Sequence, residues 1–326
     1  MAVTYLDIMN RLGPDDKIAA IIEMLNQTNE ILDDMESSEG NLVTGHKSII
    51  RTGLPSATWR LLNYGVQPSK SQTTSVTDTT GMLEAYAEVD KELADLNGNT
   101  SSFRLSEDKA FLESMNQSMS ETLFYGNTAI NPERFTGLAP RYSALSTDDT
   151  ESGYNVIDAG GVGTDNTSIW LVVWGPETIF GLYPKGSVAG FKHQDLGEVT
   201  LEDAAGGLYQ GYRSHYQWKI GLCVRDWRYA VRIANIDWSA TTTDTLAPDL
   251  VKFMIDAIEM IPNLSMGRPV FYMRREIRTA LRHQIRTDSN VNLTVDTVAG
   301  KRVVSFDEIP VKRVDQLIKT EARVVA

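Results

Sequence analysis

The glycine-rich stretch Gly160-Gly161-Val162-Gly163 has residue types that could hold a phosphate group. A phosphate-binding loop needs a strand before its glycines and the N-terminus of a helix directly after them. Here the glycines lie in a Ser- and Thr-rich region, and the apolar run from Ile169 to Trp174 that follows is typical of a strand. We interpret the stretch as a flexible loop. The common signatures of nucleotide-binding proteins, zinc proteases and serine hydrolases are also missing from the sequence.

The cysteine, histidine and acidic residues also show no spacing that is typical of a metal or catalytic site. Cys223 is the single cysteine, and the four histidines lie far apart, so no zinc-ligand spacing occurs. Neighbouring acids such as Asp33-Asp34 and Asp148-Asp149 point apart on a helix or a strand. We therefore predict no catalytic residues, no metal and no cofactor. A carbohydrate-active enzyme stays open as an alternative, because two distant carboxylates can meet in the fold.

The negative net charge argues against a protein that binds phosphates over its whole surface. The chain has 43 acidic and 31 basic residues, a formal net charge of -12, yet a shell that encloses nucleic acid without trapping it remains allowed. The region after residue 212 is locally basic, with arginines that include Arg228 and Arg232. Two interpretations stay open: a solvated face with local ion pairs, or a surface that meets carboxylates of another subunit.

The elements that must position these residues follow from the apolar pattern. Helical spacing predicts helices at 16–35, 80–96, 106–125, 248–261 and 274–286. Alternation and β-branched runs predict strands at 168–174, 218–224, 227–233, 269–272, 303–311 and 314–317, with a bulge or tight turn near Arg225-Asp226. The fold class is therefore α+β. We expect no secretory leader and no membrane span, because the first twelve residues and the hydropathy pattern show neither.

Residues 36–80 form a long extended excursion that is broken by glycines and prolines. It carries apolar side chains, among them Trp59 and Leu62, which a free linker would not need. Either these side chains pack on the core of their own chain, or they are buried against a neighbouring subunit. Trp59 is our first choice for an interface residue.

The segment Glu121-Thr122-Leu123-Phe124-Tyr125-Gly126-Asn127 precedes a second segment, Asn131-Pro132-Glu133-Arg134-Phe135-Thr136-Gly137-Leu138. This order resembles the major capsid proteins of tailed bacteriophages, in many of which a long helix ends in an aromatic-Gly-Asn step before a Pro-x-x-Phe-x-Gly-Leu stretch. The N-terminal arm and extended loop that come before the helix agree with the same family.

The resemblance implies the Hong Kong 97-type capsid fold. Residues 1–43 would be the N-terminal arm, 44–98 the E-loop and the following helix, 99–239 the P-domain with its long spine helix, 240–310 the apical A-domain, and 311–326 a C-terminal tail. Because the late helices depart from the usual family order, we predict that 218–236 packs with helix 106–125, while the helices at 248–261 and 274–286 form a separate apical domain.

The implied function is a major capsid protein that self-assembles into the icosahedral shell around the phage genome. Its partners would be itself, in pentamers and hexamers, a portal, a scaffolding or cement protein, and double-stranded DNA through weak non-specific contact, with no membrane. It would be assembled in the host cytoplasm and reside in the virion. The alternatives are another virion component, such as a decoration or tail protein, and the carbohydrate-active enzyme.

The predicted contacts between subunits follow from the excursion and from the charge pattern. They are Trp59, Leu62, Glu84, Glu88, Arg228 and Arg232. The two apolar residues would be buried against a neighbour, and the acids would meet arginines of another subunit. Lys47 and Lys70 lie in the expected E-loop, but no motif identifies cross-linking partners for them, so we predict no covalent cross-link.

Overall fold

A computed structural model describes residue 27 and residues 29–95, 100–243, 248–287, 293–298 and 301–326. Within these ranges the helices are α1 (Ile31–Asp34), α2 (Lys91–Asp95), α3 (Thr100–Tyr125), α4 (Trp238–Thr243), α5 (Leu250–Glu259) and α6 (Arg275–Thr287). The strands are β1 (Ser37–Glu39), β2 (Gly45–Gly53), β3 (Gln72–Asp90), β4 (Val156–Asp158), β5 (Asn166–Trp174), β6 (Ile179–Tyr183), β7 (Phe191–Glu202), β8 (Leu208–Val224), β9 (Ala230–Asp237), β10 (Arg268–Met273), β11 (Leu293–Val298), β12 (Lys301–Phe306) and β13 (Ile309–Arg313).

These strands join into one 13-stranded mixed sheet within the described residues. Its main path runs β11-β12-β13-β10-β5-β6-β8-β3-β2, while β9 pairs with β4 and β5, β7 with β8, and β1 with β6. Strand β5 is buried along its whole length, which explains why its sequence is a continuous apolar run rather than an alternating one.

The sheet carries a hydrophobic core on each face. On one face Trp170 and Val172 of β5 pack with Leu123 and Phe124 of α3. On the other, the alternate residues of β5 pack with apolar residues of α5 and α6, among them Met254. Because successive strand residues point to opposite faces, β5 holds both cores together.

The late helices therefore do not form a unit of their own, and the predicted separate packing is wrong. Tyr229, Val231 and Ile233 belong to the core that contains α5 and α6, whereas Ala230 and Ala234 belong to the core of α3. Strand β9 serves both cores for the same reason that β5 does. The part of the prediction that concerned β8 holds, since Trp218 packs near Met115 of α3.

Helix α3 ends at Tyr125, and the loop from Gly126 to Leu138 folds back onto its C-terminus. Gly126 donates its N–H to the Thr122 carbonyl at 2.9 Å, and Leu138 donates to the Leu123 carbonyl at 2.9 Å. At Gly137 a β-carbon would lie only 2.5 Å from the Thr122 oxygen, so the loop can pass this close only with glycine there. The loop thus satisfies carbonyls that the end of a helix leaves free.

Most predicted elements are confirmed, including the long helix, which begins earlier, at Thr100, and the turn after β8. The helix predicted at 80–96 is wrong up to Asp90, because β3 continues through it and pairs with β8. Its apolar residues fit the spacing of a helix as well as that of a strand, and the pairing with β8 makes the segment a strand. The strand predicted at 314–317 is also wrong, apart from one bridge between Val314 and Asn29. The helix predicted at 16–35 lies mostly outside the described residues, which contain its end as α1.

Helices of the described part are all too short or too polar to cross a membrane.

Candidate assembly surfaces

The extended excursion is a β-hairpin whose tip is apolar and uncovered. Strand β2 pairs with residues 72–79 of β3, and residues 54–71 connect the two strands. Trp59 is fully exposed, and its large apolar neighbours in the connection are also exposed: Leu54, Leu61, Leu62, Tyr64 and Val66. The interpretation in which these side chains pack on the chain's own core is wrong. A contiguous exposed set of this kind is typical of a surface that binds another protein.

A buried ion pair holds the base of this hairpin. Arg141 donates from Nη2 to the Asp78 carboxylate at 2.7 Å, and Asp78 is only 3% exposed. Ser48 of β2 and the Cys223 thiol lie beside the pair, with 3.8 Å between Ser48 Oγ and Cys223 Sγ. Burial, together with the Asp78 charge, raises the pKa of the Cys223 thiol to about 12. The pair fixes β3 against the turn that follows α3.

A polar sheet surface continues from the hairpin along β3 and β8. Glu88 pairs with Arg213 across the strands at 2.6 Å, and Glu84 accepts a hydrogen bond from Gln217. The residue between these acids, Tyr86, stacks on His215 with 4.5 Å between the ring centroids. Both acids are partly exposed and already have a partner within the chain.

A buried charged network surrounds Glu321, near the C-terminal end of the sequence. Glu321 is 5% exposed and accepts hydrogen bonds from the hydroxyls of Tyr125 and Ser168 and from Arg232 Nη2 at 2.9 Å. Arg232 also donates to the Tyr142 carbonyl at 2.8 Å. Burial first, and then the Glu321 charge, raise the pKa of Tyr125, so its hydroxyl stays protonated and donates. The network ties helix, sheet and tail together.

The glycine-rich stretch is a loop between β4 and β5, and a strand rather than a helix follows it. The prediction that it is a loop is confirmed. Gly160 has a φ of 89°, a backbone conformation that glycine tolerates best. Among the described residues, no three His, Cys, Asp or Glu side chains are grouped in a way that could hold a metal ion.

The family model for major capsid protein GP7 matches residues 13–325. The chain belongs to this family. The GP7-family assignment agrees with a solved structure of bacteriophage Epsilon15, whose matching chain is 39% identical and gives a TM-score of 0.75 over 100% of this chain and 98% of that one. A chain of the bacteriophage JBD30 capsid is only 9% identical and shows the fold alone, with a TM-score of 0.50 over 97% of this chain and 99% of that one. No protein with a curated description matches the sequence.

The GP7-family chain is therefore a major capsid protein of a tailed phage and forms the icosahedral shell. Its fold is the α+β fold of phage capsids, of the Hong Kong 97 type. The resemblance in the segments around Gly126 and Gly137 is confirmed as a family relationship. The role of the family is structural, and the place of its members is the virion.

The structure places the predicted contact residues of this GP7-family protein in different settings. Trp59 and Leu62 lie at the exposed hairpin tip, and their contact with a neighbour stays a prediction. Arg228 is exposed and donates from Nε and Nη2 to the two carboxylate oxygens of Asp226, at 3.0 and 2.7 Å. Its contact with Glu84 or Glu88 of another subunit also stays a prediction.

Arg232 does not belong in that set, and its assignment to an intersubunit contact is wrong. It is 5% exposed, and its guanidinium lies over the Trp170 ring at 5.3 Å. The sequence of β9 does not reveal the burial of Arg232, because an arginine that alternates with apolar residues also fits the solvent face of a strand. Its counter-ion, Glu321, lies 89 residues away in the sequence, where no local pattern signals it.

Proposed function

We propose that the β2/β3 hairpin is the E-loop of the shell and that its apolar tip is buried against a neighbouring subunit. The observation that carries this proposal is the full exposure of Trp59 among other exposed apolar side chains. Burying a large apolar side chain contributes about 1.5–3 kcal/mol, so a tip with several of them supplies a strong contact. Repeated around rings of subunits, this contact would build pentamers and hexamers.

In the same proposal, residues 1–43 are the N-terminal arm, 44–98 contain the E-loop, and α3 is the spine helix of the P-domain. The layer of α5 and α6, together with the face of β5 and β9 on which it packs, would be the apical A-domain. The two cores on one sheet support a boundary between the sheet faces rather than near residue 239. The residues from 311 onward form the tail, which returns to the P-domain through Glu321.

The proposed partners are further copies of the chain, a portal, a scaffolding or cement protein, and the enclosed double-stranded DNA. Assembly would take place in the host cytoplasm. The chain would perform no catalysis, in line with the structural role of its family. Lys47 and Lys70 would make no covalent cross-link.

Trp59→Ala is expected to abolish or strongly reduce shell assembly while the isolated subunit keeps its stability. The side chain has no contact to lose within its own subunit, since it is fully exposed. Electron microscopy of shells and urea unfolding of the subunit measure the two effects. Trp59→Phe is the matched control and should retain assembly, because it keeps an apolar ring. Normal assembly of the alanine variant, or unfolding of its subunit, would contradict the proposal.

The shell is also expected to be sensitive to salt. Exposed ion pairs contribute only about 0.2–1 kcal/mol each and are screened by salt, so the effect must come from many copies. Assembly yield should fall as salt is raised, and Arg228→Gln should weaken that dependence. The measurement is the fraction of sedimenting shells across a salt series. The same yield at low and high salt would show that contacts such as Glu84 to Arg228 do not form.

A further inference from the structure

The outer face of α6 is cationic over the side chains that the structure describes. Ile277 and Leu281 point into the core and are fully buried, whereas Arg275, Thr279 and Arg282 on the other side are exposed. No large apolar residue of this helix is exposed among its described side chains, which extend to residue 284. Interfaces between proteins are built around apolar cores that are depleted of charge, so this surface differs from the hairpin tip.

Most cations around this face have a carboxylate partner from the same chain. Arg275 donates from Nε to Asp315 at 2.8 Å, and Arg313 lies 3.8 Å from Glu30. For Arg278 and Arg282, in contrast, no carboxylate of the described part lies within ion-pair distance, although the chain as a whole has an excess of acids. Within the described part of the chain, two positive charges on this surface thus have no carboxylate at ion-pair distance.

Arg278 lies in an environment that disfavours its charge. It is half-buried, and its Nε is buried without a hydrogen-bond partner. Burial lowers the pKa of Arg278, and the charges of Arg313 and Arg282 lower it further, while only Glu30 acts in the opposite direction. A half-buried guanidinium with a buried nitrogen that has no partner is unfavourable, so an anion bound to this side chain would be stabilising.

We propose that Arg278 and Arg282 bind the phosphate backbone of the nucleic acid that the shell encloses, so that this face of α6 lines the inside of the shell. The inference rests on the proposed packaging of DNA. The two arginines are four residues apart on one helix face, which lets both reach one backbone. Phosphate contacts need no apolar surround and carry no sequence information, in agreement with the polar surface.

The test uses full-length subunits and a fluorescein-labelled 20-base-pair duplex, whose anisotropy is followed across a salt series. The slope of the logarithm of the binding constant against the logarithm of salt concentration should fall by about 0.9 for each arginine replaced. Arg278→Gln/Arg282→Gln is the main variant. Arg282→Gln alone removes only an exposed side chain and keeps the test valid if the double variant is poorly folded.

The matched control is Arg134→Gln/Arg225→Gln, which removes the same charge from a partly exposed and an exposed arginine that have carboxylate partners, Glu121 and Glu177. This control should leave the slope unchanged. A slope that falls equally in both double variants, or in neither, overturns the proposal, as does wild-type protein that does not bind the duplex. Loss of shells with an unchanged slope would also overturn it and would assign the arginines to a second copy. Shell formation by wild-type protein tests the proposed function separately.

Discussion

Glu321→Ala is expected to lower the free energy of unfolding of the subunit by about 3–5 kcal/mol, because it leaves the buried charge of Arg232 without its counter-ion. The hydroxyls of Tyr125 and Ser168 lose their acceptor in the same step. Urea unfolding of full-length subunits, followed by tryptophan fluorescence below the concentration at which they assemble, measures the change.

Two further variants separate the effect of charge from that of packing. Glu321→Leu/Arg232→Met removes both charges and should recover much of the lost stability, since apolar residues of similar volume can replace a buried pair. Arg225→Ala breaks an exposed pair with Glu177 and should cost less than about 1 kcal/mol. If Glu321→Ala costs no more than Arg225→Ala, the network does not hold the fold together.

The second large effect is expected at the base of the hairpin. Arg141→Ala leaves the Asp78 carboxylate buried and unpaired, which should cost about 3–5 kcal/mol and loosen β3 from the turn after α3. The rate at which a thiol reagent labels Cys223 under native conditions measures this opening, because that thiol is buried beside the pair and is the single cysteine of the chain.

The sign of the labelling change distinguishes opening from an electrostatic effect. Arg141 itself lowers the pKa of Cys223, so its removal raises that pKa and would slow the reaction of a thiol that stayed buried. Faster labelling therefore reports exposure. Arg134→Ala, at a partly exposed pair with Glu121, should leave the rate unchanged. A rate in Arg141→Ala no higher than in the native protein would contradict the role of the pair.

Elements with strong local signals could be predicted from the sequence. The continuous apolar run of β5 and the helical spacing of α3 are each decided by burial, and burial leaves a pattern in the chain. The helix expected at 80–96 failed because the choice between helix and strand there depends on pairing with β8, more than a hundred residues further along. Long-range pairing leaves no trace in a local window.

For the candidate site, too, features with a local sequence signal were predicted and features that depend on distant residues were not. The exposed apolar tip around Trp59 was predicted because glycines and prolines mark an excursion whose apolar residues need cover. Arg232 was misplaced, because whether an arginine in a strand is buried depends on a distant carboxylate. The opposition of two cores on one sheet was also missed, since an alternating pattern does not say what lies on each face.

The path of the tail has a consequence for the order of events during translation. Residues 314–325 complete bonds begun near the other end of the described chain and in its middle: Val314 bridges Asn29, and Val324 binds Asn235. A nascent chain that has not reached residue 321 contains β9 and the guanidinium of Arg232 but no counter-ion for it. We expect the central sheet of such a chain to be less stable, because a buried charge is left unpaired. We therefore expect products of premature termination to fold less stably than complete subunits and to join the lattice less readily, because they lack this late segment.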